Sequence, residues 1–151
     1  TPTIAQVVNS TYEYVFSGPG KLGGTGMLTK GGTAALTLMT ANDYSGGSYL
    51  TNGPVRAGNN AAFGTGQVRL QGATLSSDGA AARTLTNAIV INAATTLGDS
   101  VNNGLLTLAG PVNFNNGART LSVNSPARNP SSRSCEVYAS SSATFVIWAS
   151  R

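Results

Sequence analysis

Residues 28–38 of this 151-residue chain read Leu28-Thr29-Lys30-Gly31-Gly32-Thr33-Ala34-Ala35-Leu36-Thr37-Leu38. The glycine pair is followed within a few residues by a triplet in which apolar and polar side chains alternate. Alternation with a period of two lets every second side chain of a strand face a core. Glycine accepts the positive φ that a sharp corner requires. This segment therefore predicts a corner followed by a short β-strand.

The same pattern recurs along the chain. Further alternating triplets are Val68-Arg69-Leu70, Ala73-Thr74-Leu75, Leu106-Thr107-Leu108, Val112-Asn113-Phe114 and Leu121-Ser122-Val123. Glycine or asparagine separates them, at Gly46-Gly47, Gly64-Thr65-Gly66, Gly72, Asn102-Asn103-Gly104 and Asn115-Asn116-Gly117. We expect strands of about three to five residues. The side chains expected to point inward are Leu36, Leu38, Val68, Leu70, Leu106 and Leu108.

Residues 78–96 form the best candidate for a helix, because Asp78 could cap a run of alanines. The continuation is rich in β-branched residues and is interrupted by Asn87 and Asn92. Both features favour strands over a helix. The sequence therefore predicts an all-β fold.

The composition narrows the architecture further. Gly, Ala, Thr, Ser and Asn supply 87 of the 151 residues, whereas Leu, Ile, Val and Phe supply 32. So few large apolar side chains would fill a compact two-layer core poorly, but they suffice for the thin core of an elongated fold. An antiparallel sandwich and a parallel β-helix both accept many short strands. Short runs and similar triplets spaced roughly 20 to 35 residues apart favour a single parallel β-helix.

Residues 28–75 carry a family resemblance. After residues 28–38 the chain continues Ala41-Asn42-Asp43-Tyr44-Ser45-Gly46-Gly47, then Ala57-Gly58, Ala62-Phe63-Gly64-Thr65-Gly66 and Leu70-Gln71-Gly72-Ala73-Thr74-Leu75. In order and spacing these motifs resemble the autotransporter-associated β-strand repeat, and the resemblance extends over about residues 14–123. The chain departs from the family pattern at Ala34, where Gly is common, at Asp43, where Thr is common, and at Pro54-Val55, where Thr-Leu is common. These departures bear on corner geometry.

The resemblance implies a right-handed parallel β-helix (a β-solenoid) with short strands and Gly/Asn corners. It also implies a secreted passenger that is carried across the outer membrane of a Gram-negative bacterium and is displayed at the cell surface or released. The repeat is regarded as structural and has no catalytic residues to transfer. Any function must therefore be argued from sites on this chain.

The chain changes character after residue 123. Residues 1–123 are predicted to form the β-helix, residues 124–134 a linker rich in Ser and Pro, and residues 135–151 a C-terminal strand. That strand contains the candidate assembly residues Phe145, Val146, Ile147 and Trp148. Because so apolar a strand must be covered, it either caps the last coil of its own chain or pairs with a neighbouring copy. Self-association through the β-helix ends is a further expectation.

The sequence contains no His and one Cys, Cys135. No Ser-His-Asp or Cys-His machinery and no His-ligated or four-Cys zinc site can be assembled within one copy. Asp78 and Asp99 could stack on one face as a Ca²⁺ site or an acid–base pair. Their neighbours Gly79 and Gly98 make two turns the favoured interpretation. We therefore predict no catalytic residue, no cofactor and no metal ligand, with Cys135 an ordinary lone thiol.

The basic residues indicate neither nucleic acid nor membrane. They are spread over the whole chain and are read as solvated positions: Lys21, Lys30, Arg56, Arg69, Arg83, Arg119, Arg128, Arg133 and Arg151. Phosphate recognition needs clustered cations. No apolar run approaches the roughly 18 residues of a membrane helix, so membrane insertion of this segment is not expected.

Aromatic residues offer the one candidate ligand surface. Tyr12, Tyr14, Tyr44 and Tyr49 lie in the first third of the chain, and aromatic rings can stack on sugars. Packing in the core or at an end is the simpler interpretation. The favoured function is a non-enzymatic structural or stalk segment that supports display, adhesion or fibre-type assembly, with host or matrix glycans or proteins as partners. The alternative is a carbohydrate-active β-helix, either a polysaccharide lyase or a glycan-binding module.

Overall fold

The computed structural model describes residues 3–102, 104–115 and 118–124, together with the backbone of residues 145–146. These residues contain no helix, and hence none that could cross a membrane. The strands are β1 Ile4–Val8, β2 Tyr14–Phe16, β3 Met27–Gly31, β4 Leu36–Leu38, β5 Ser48–Leu50, β6 Pro54–Ala57, β7 Val68–Leu70, β8 Thr74–Ser77, β9 Arg83–Leu85, β10 Ile89–Ile91, β11 Thr95–Leu97, β12 Leu106–Leu108, β13 Val112–Asn113, β14 Leu121–Val123 and β15 Phe145–Val146.

The strands stack into three sheets that run along the molecule. The first sheet has the order β1-β3-β5-β7-β10-β13, and the second has the order β2-β4-β6-β8-β11-β14. The third contains β9, β12 and β15. Every strand pair among the described residues is parallel except that of β12 with β15. The fold is therefore a parallel β-solenoid of about five turns, as the sequence predicts.

Coil length is more regular than the triplets suggest. Leu28 pairs with Ser48 and Ser48 with Val68, so these coils repeat every 20 residues. Over the described coils the paired residues lie between 19 positions apart, for Leu36 and Val55, and 26 positions apart, for Thr95 and Leu121. The longer intervals accommodate loops outside the strands, which is why the repeat is hard to see in the sequence.

The core is a set of side-chain columns that follow the strand register. The residues predicted to point inward do so, because Leu36, Leu38, Val68 and Leu70 are fully buried and Leu106 and Leu108 nearly so. One column runs through Lys30, Leu50, Leu70 and Ile91. Each apolar member contributes about 1.5–3 kcal/mol through burial. A thin core is thus sufficient because it is continuous from coil to coil.

The predicted glycine corners are confirmed at Gly32, Gly47, Gly64 and Gly72, which all have positive φ. The tightest approach is instructive at Gly64, where φ is 59° and a Cβ atom would lie 2.2 Å from the carbonyl oxygen of Tyr44. Neighbouring coils therefore touch backbone to backbone at this corner, and a side chain cannot be accommodated.

Buried asparagines link one coil to the next. The amide nitrogen of Asn42 donates to the carbonyl of Ala62 at 2.7 Å, and its oxygen accepts from the backbone N–H of Leu22 and the hydroxyl of Thr40. Leu22 precedes Asn42 by 20 residues and Ala62 follows it by 20. One side chain therefore joins three consecutive coils, because an amide both donates and accepts.

Candidate functional site

Strand register builds a row of side chains on the outer face of the first sheet. It aligns Gln6 with Thr29, Thr29 with Tyr49, and Tyr49 with Arg69. The residues that flank each of these positions in β3, β5 and β7 are inward-facing or more deeply buried. Because strand side chains alternate between the two faces, this row points outward. We call these four residues the Tyr49 row.

Tyr49 and Arg69 hold each other in place. The guanidinium of Arg69 lies over the Tyr49 ring, with its central carbon 4.8 Å from the ring centre. Its Nη1 donates to the Tyr49 hydroxyl, and its Nε donates to Oε1 of Gln67 at 2.8 Å. Cation–π contact and hydrogen bonding orient the fork of a guanidinium and leave its other N–H groups for further partners. Arg69 has no ion-pair partner among the described residues.

A shallow groove of about 500 Å³ adjoins Tyr49 on the same face. Its lining combines polar groups of Gln6, Thr29 and Thr51 with apolar surface of Met27 and Val8. The Thr51 hydroxyl donates to the carbonyl of Lys30 at 2.8 Å. By contrast, Thr29 Oγ1 is shielded from solvent and has no hydrogen-bond partner. The groove is amphipathic, as a surface that contacts both C–H and O–H groups would be.

The four candidate tyrosines do not form one surface. Tyr12 and Tyr14 are exposed in the first coil, whereas Tyr49 is half-buried in the third coil. Tyr44 is only 3% exposed, and its hydroxyl is 2.7 Å from that of Ser48. The prediction that Tyr44 contacts glycan is therefore wrong, because its ring packs in the core. Burial, partly offset by the Ser48 hydrogen bond, raises the pKa of Tyr44 to about 12.

Asp78 and Asp99 serve different structural roles. Asp78 Oδ1 accepts hydrogen bonds from Arg83 Nε and Nη2 at 3.0 and 2.8 Å. Asp99 Oδ1 accepts from the backbone N–H of Val101 at 2.8 Å, which is the turn geometry expected for this position. No group of three or more His, Cys, Asp or Glu in the described part of the chain could hold a metal ion. Each carboxylate is committed to its own neighbours.

Arg56 joins coils that are far apart in sequence. Its Nη1 lies 3.0 Å from Glu13 Oε2, and its Nη2 lies 3.6 Å from Asp99 Oδ2. Burial of the Asp99 carboxylate opposes its ionisation. The hydrogen bonds from Val101 and Asn102, together with the charge of Arg56, outweigh burial and lower the pKa of Asp99. A carboxylate held ionised by such partners is poorly suited to donate a proton as a general acid.

Lys30 is not the solvated position that the sequence suggests. The period-two alternation that buries Leu28 also turns Lys30 inward, and its relative exposure is 0%. Its Nζ donates to the carbonyls of Gly31, Gly32 and Asn52 at 2.6, 3.0 and 3.3 Å. Burial lowers the pKa of this ammonium group. The sequence signal that could have revealed this is the inward parity of position 30 in its strand.

The C-terminal strand pairs with its own chain. β15 is antiparallel to β12, with Thr107 opposite Val146 and Leu108 opposite Phe145. This is the backbone pairing of the self-capping arrangement, while exchange between copies stays a prediction. Ile147, Trp148 and Cys135 lie outside the described residues, as does most of the predicted linker, residues 124–134.

Parallel coils with glycine corners and inward asparagines characterise a β-solenoid of the kind expected of an autotransporter passenger segment. Among curated proteins, the Adhesin BmaC autotransporter of Brucella suis biovar 1 (strain 1330) is 46% identical to the chain over 63 residues. The match covers 40% of this chain and 2% of that protein. It confirms the resemblance that the motifs predicted. No family model matches the chain, and no solved structure matches it.

Proposed function

We propose that this chain is a non-catalytic structural segment of a secreted bacterial surface protein of the autotransporter-passenger type. In this role its coils extend and stiffen an adhesin-like passenger that is displayed outside a Gram-negative cell. The similarity to an autotransporter adhesin supports the surface role. The single observation that carries the structural role is the use of charged groups to tie coils together.

Arg56 is the clearest example of that use. Glu13 lies 43 residues before Arg56, and the residues that Arg56 joins belong to the first, third and fifth coils. Asp43 likewise pairs with Lys21, one coil earlier. A catalytic groove would instead bring carboxylates together with one pKa raised so that it can act as an acid. The partnered carboxylates favour a scaffold over a polysaccharide lyase.

A depolymerisation assay tests this proposal. The purified chain is incubated with acidic and neutral polysaccharides, with and without Ca²⁺, and new reducing ends and unsaturated products are measured. We expect no turnover. Cleavage that is lost in Glu13→Gln or Asp99→Asn, with the fold preserved by circular dichroism, would establish the lyase alternative instead.

The first coil supports self-association as a part of this role. β1 and β2 each have a strand partner on one side only. Their coil also carries a set of exposed large apolar side chains: Ile4, Val8, Tyr12, Tyr14 and Val15. An unpaired strand edge beside apolar surface favours pairing with another coil. Sedimentation of the chain against an Ile4→Lys/Val8→Lys variant measures it, with less association expected for the variant.

A further inference from the structure

We propose that the Tyr49 row and its adjoining groove bind the carboxylate-bearing sugar residues of an acidic polysaccharide. The proposal concerns a ligand site on the side of the solenoid and is independent of the structural role of the coils. It rests on an oriented cation, an amphipathic groove and the closed backbone of the sheet beneath them.

The oriented cation is Arg69. The four carboxylates in the described part of the chain pair with other cations: Glu13 and Asp99 with Arg56, Asp43 with Lys21, and Asp78 with Arg83. Arg69 is instead fixed by the neutral groups of Tyr49 and Gln67. A guanidinium that is already oriented loses less conformational entropy when it binds a carboxylate through two parallel hydrogen bonds. The charge to be complemented is therefore a single negative charge next to Tyr49.

The groove supplies what a sugar ring needs beside its carboxylate. Gln6 carries an amide and Thr51 a hydroxyl, and both can bond to sugar hydroxyls. Met27 and the Tyr49 ring offer apolar surface to the C–H face of a pyranose. From Gln6 to Arg69 the row crosses four neighbouring strands, a span of about 14 Å at the usual strand spacing. A short oligosaccharide could lie along this row, with its carboxylate at Arg69.

The sheet beneath the groove argues against two other anionic ligands. β3 and β5 are hydrogen-bonded on both sides, so a peptide lying on this face gains no backbone ladder. A nucleic acid would need several cations along its backbone, whereas the row carries one. Recognition here must come from side chains, and their combination of amide, hydroxyl, ring and guanidinium matches an acidic sugar.

Titration of the full chain with tetragalacturonate tests the proposal, by calorimetry and by the NMR resonances of the tyrosine rings. We expect saturable binding that shifts the Tyr49 ring signals and leaves those of Tyr12 unchanged. Methyl esterification of the probe should weaken binding at least tenfold, because the ester cannot pair with Arg69. Higher salt should weaken it as well.

Three variants locate the contact. Arg69→Gln should weaken binding at least tenfold, and Arg69→Lys should weaken it severalfold because the planar fork is lost. Arg119→Gln removes the same charge from an exposed residue of a later coil, and it should change affinity by no more than about twofold. Thermal melting establishes that each variant is folded, and the Tyr49 ring shifts in the wild-type chain report on the site independently of any variant.

Several results would overturn the proposal. They are no binding of tetragalacturonate, equal binding of its methyl ester, and equal loss of affinity in Arg69→Gln and Arg119→Gln. Tetraglutamate that binds as tightly as tetragalacturonate would show that the site takes carboxylates generally and is no saccharide site.

Discussion

The ammonium group of Lys30 donates a hydrogen bond to the carbonyl oxygen of Asn52, 3.3 Å away and one coil further along the chain. The same group caps the carbonyls of Gly31 and Gly32 in its own corner. A buried charge is costly unless polar partners replace its water, and here the partners are backbone dipoles. Lys30 therefore works as an internal fastener between two corners.

Substitution of Lys30 separates hydrogen bonding from packing. Lys30→Met keeps an unbranched side chain of similar length but removes the donors, and we expect a loss of about 1–3 kcal/mol in the free energy of unfolding. Lys30→Ala also opens a cavity beside Leu50, so the loss should reach about 2–5 kcal/mol. Urea denaturation measures both variants. A Lys30→Met chain that equals or exceeds the wild type would show that burying the charge costs more than its bonds return.

Thr29 and Thr51 make a matched pair for the value of a hydroxyl on the first sheet. Thr29 Oγ1 is shielded and unpartnered, whereas Thr51 Oγ1 donates to the carbonyl of Lys30. Thr29→Val should stabilise the fold by about 1 kcal/mol, because it removes an unsatisfied group while preserving shape. Thr51→Val should destabilise it by about the same amount. If both changes had the same sign in thermal or urea denaturation, hydrogen bonding would not explain the difference between these sites.

Gly64 tests the contact between coils. A Cβ at this position meets the Tyr44 carbonyl at 2.2 Å, and the φ of 59° is itself unfavourable for an L-residue by about 1–2 kcal/mol. We expect Gly64→Ala to destabilise the fold by about 3 kcal/mol or more. Gly79→Ala is the control, because no neighbouring atom lies within 4 Å of its Cβ position. Comparable melting temperatures for the two variants would mean that the coils separate at this corner without cost.

The link between Arg56 and Asp99 should appear in the pH dependence of stability. The folded pKa of Asp99 lies below its ordinary value of 3.8, so its ionised form stabilises the fold above that value. The contribution is lost as the pH falls through 3.8 and then through the folded pKa. Asp99→Asn should therefore reduce the free energy of unfolding by about 1 kcal/mol near neutral pH and by less in acid.

Asp43→Asn is the comparison for this titration. The pair of Asp43 and Lys21 is exposed on both sides, and such surface pairs contribute little. Its effect on stability should stay below about 0.5 kcal/mol at every pH. If Asp99→Asn showed a constant effect from acid to neutral pH, the charge of Asp99 would have no part in holding the coils.

Local rules account for the strands and corners. The alternation around Leu36 and Leu70 and the glycine pair at Gly31-Gly32 depend on a few adjacent residues, so the sequence is sufficient to predict them. The parity of Lys30 was readable too, but its charge favours solvent in any residue-by-residue assessment. Tyr44 is similar, because only the core position of Ser48 explains where its hydroxyl goes.

The candidate site depends on register, which the sequence does not display. Tyr49 and Arg69 are neighbours because their coil has 20 residues, whereas other coils have up to 26. The same applies to Arg56 and Glu13, which meet across 43 residues only after the coils have stacked. A one-residue change in a loop would alter which side chains share a row.

The pairing of β15 with β12 leads to the last prediction. Truncation after Asn124 removes the strand that covers one edge of β12, and an uncovered edge invites pairing with another chain. We expect the truncated chain to unfold at lower temperature and to associate in a concentration-dependent way in sedimentation experiments. Val146→Pro in the full chain is a milder version, because proline removes one backbone donor from the β15 strand. Exchange between copies predicts the reverse order, with the full chain dimeric and the truncated chain monomeric. A truncated chain that stays monomeric and as heat-resistant as the full chain would show that the pairing of β15 neither caps the solenoid nor connects it to another copy.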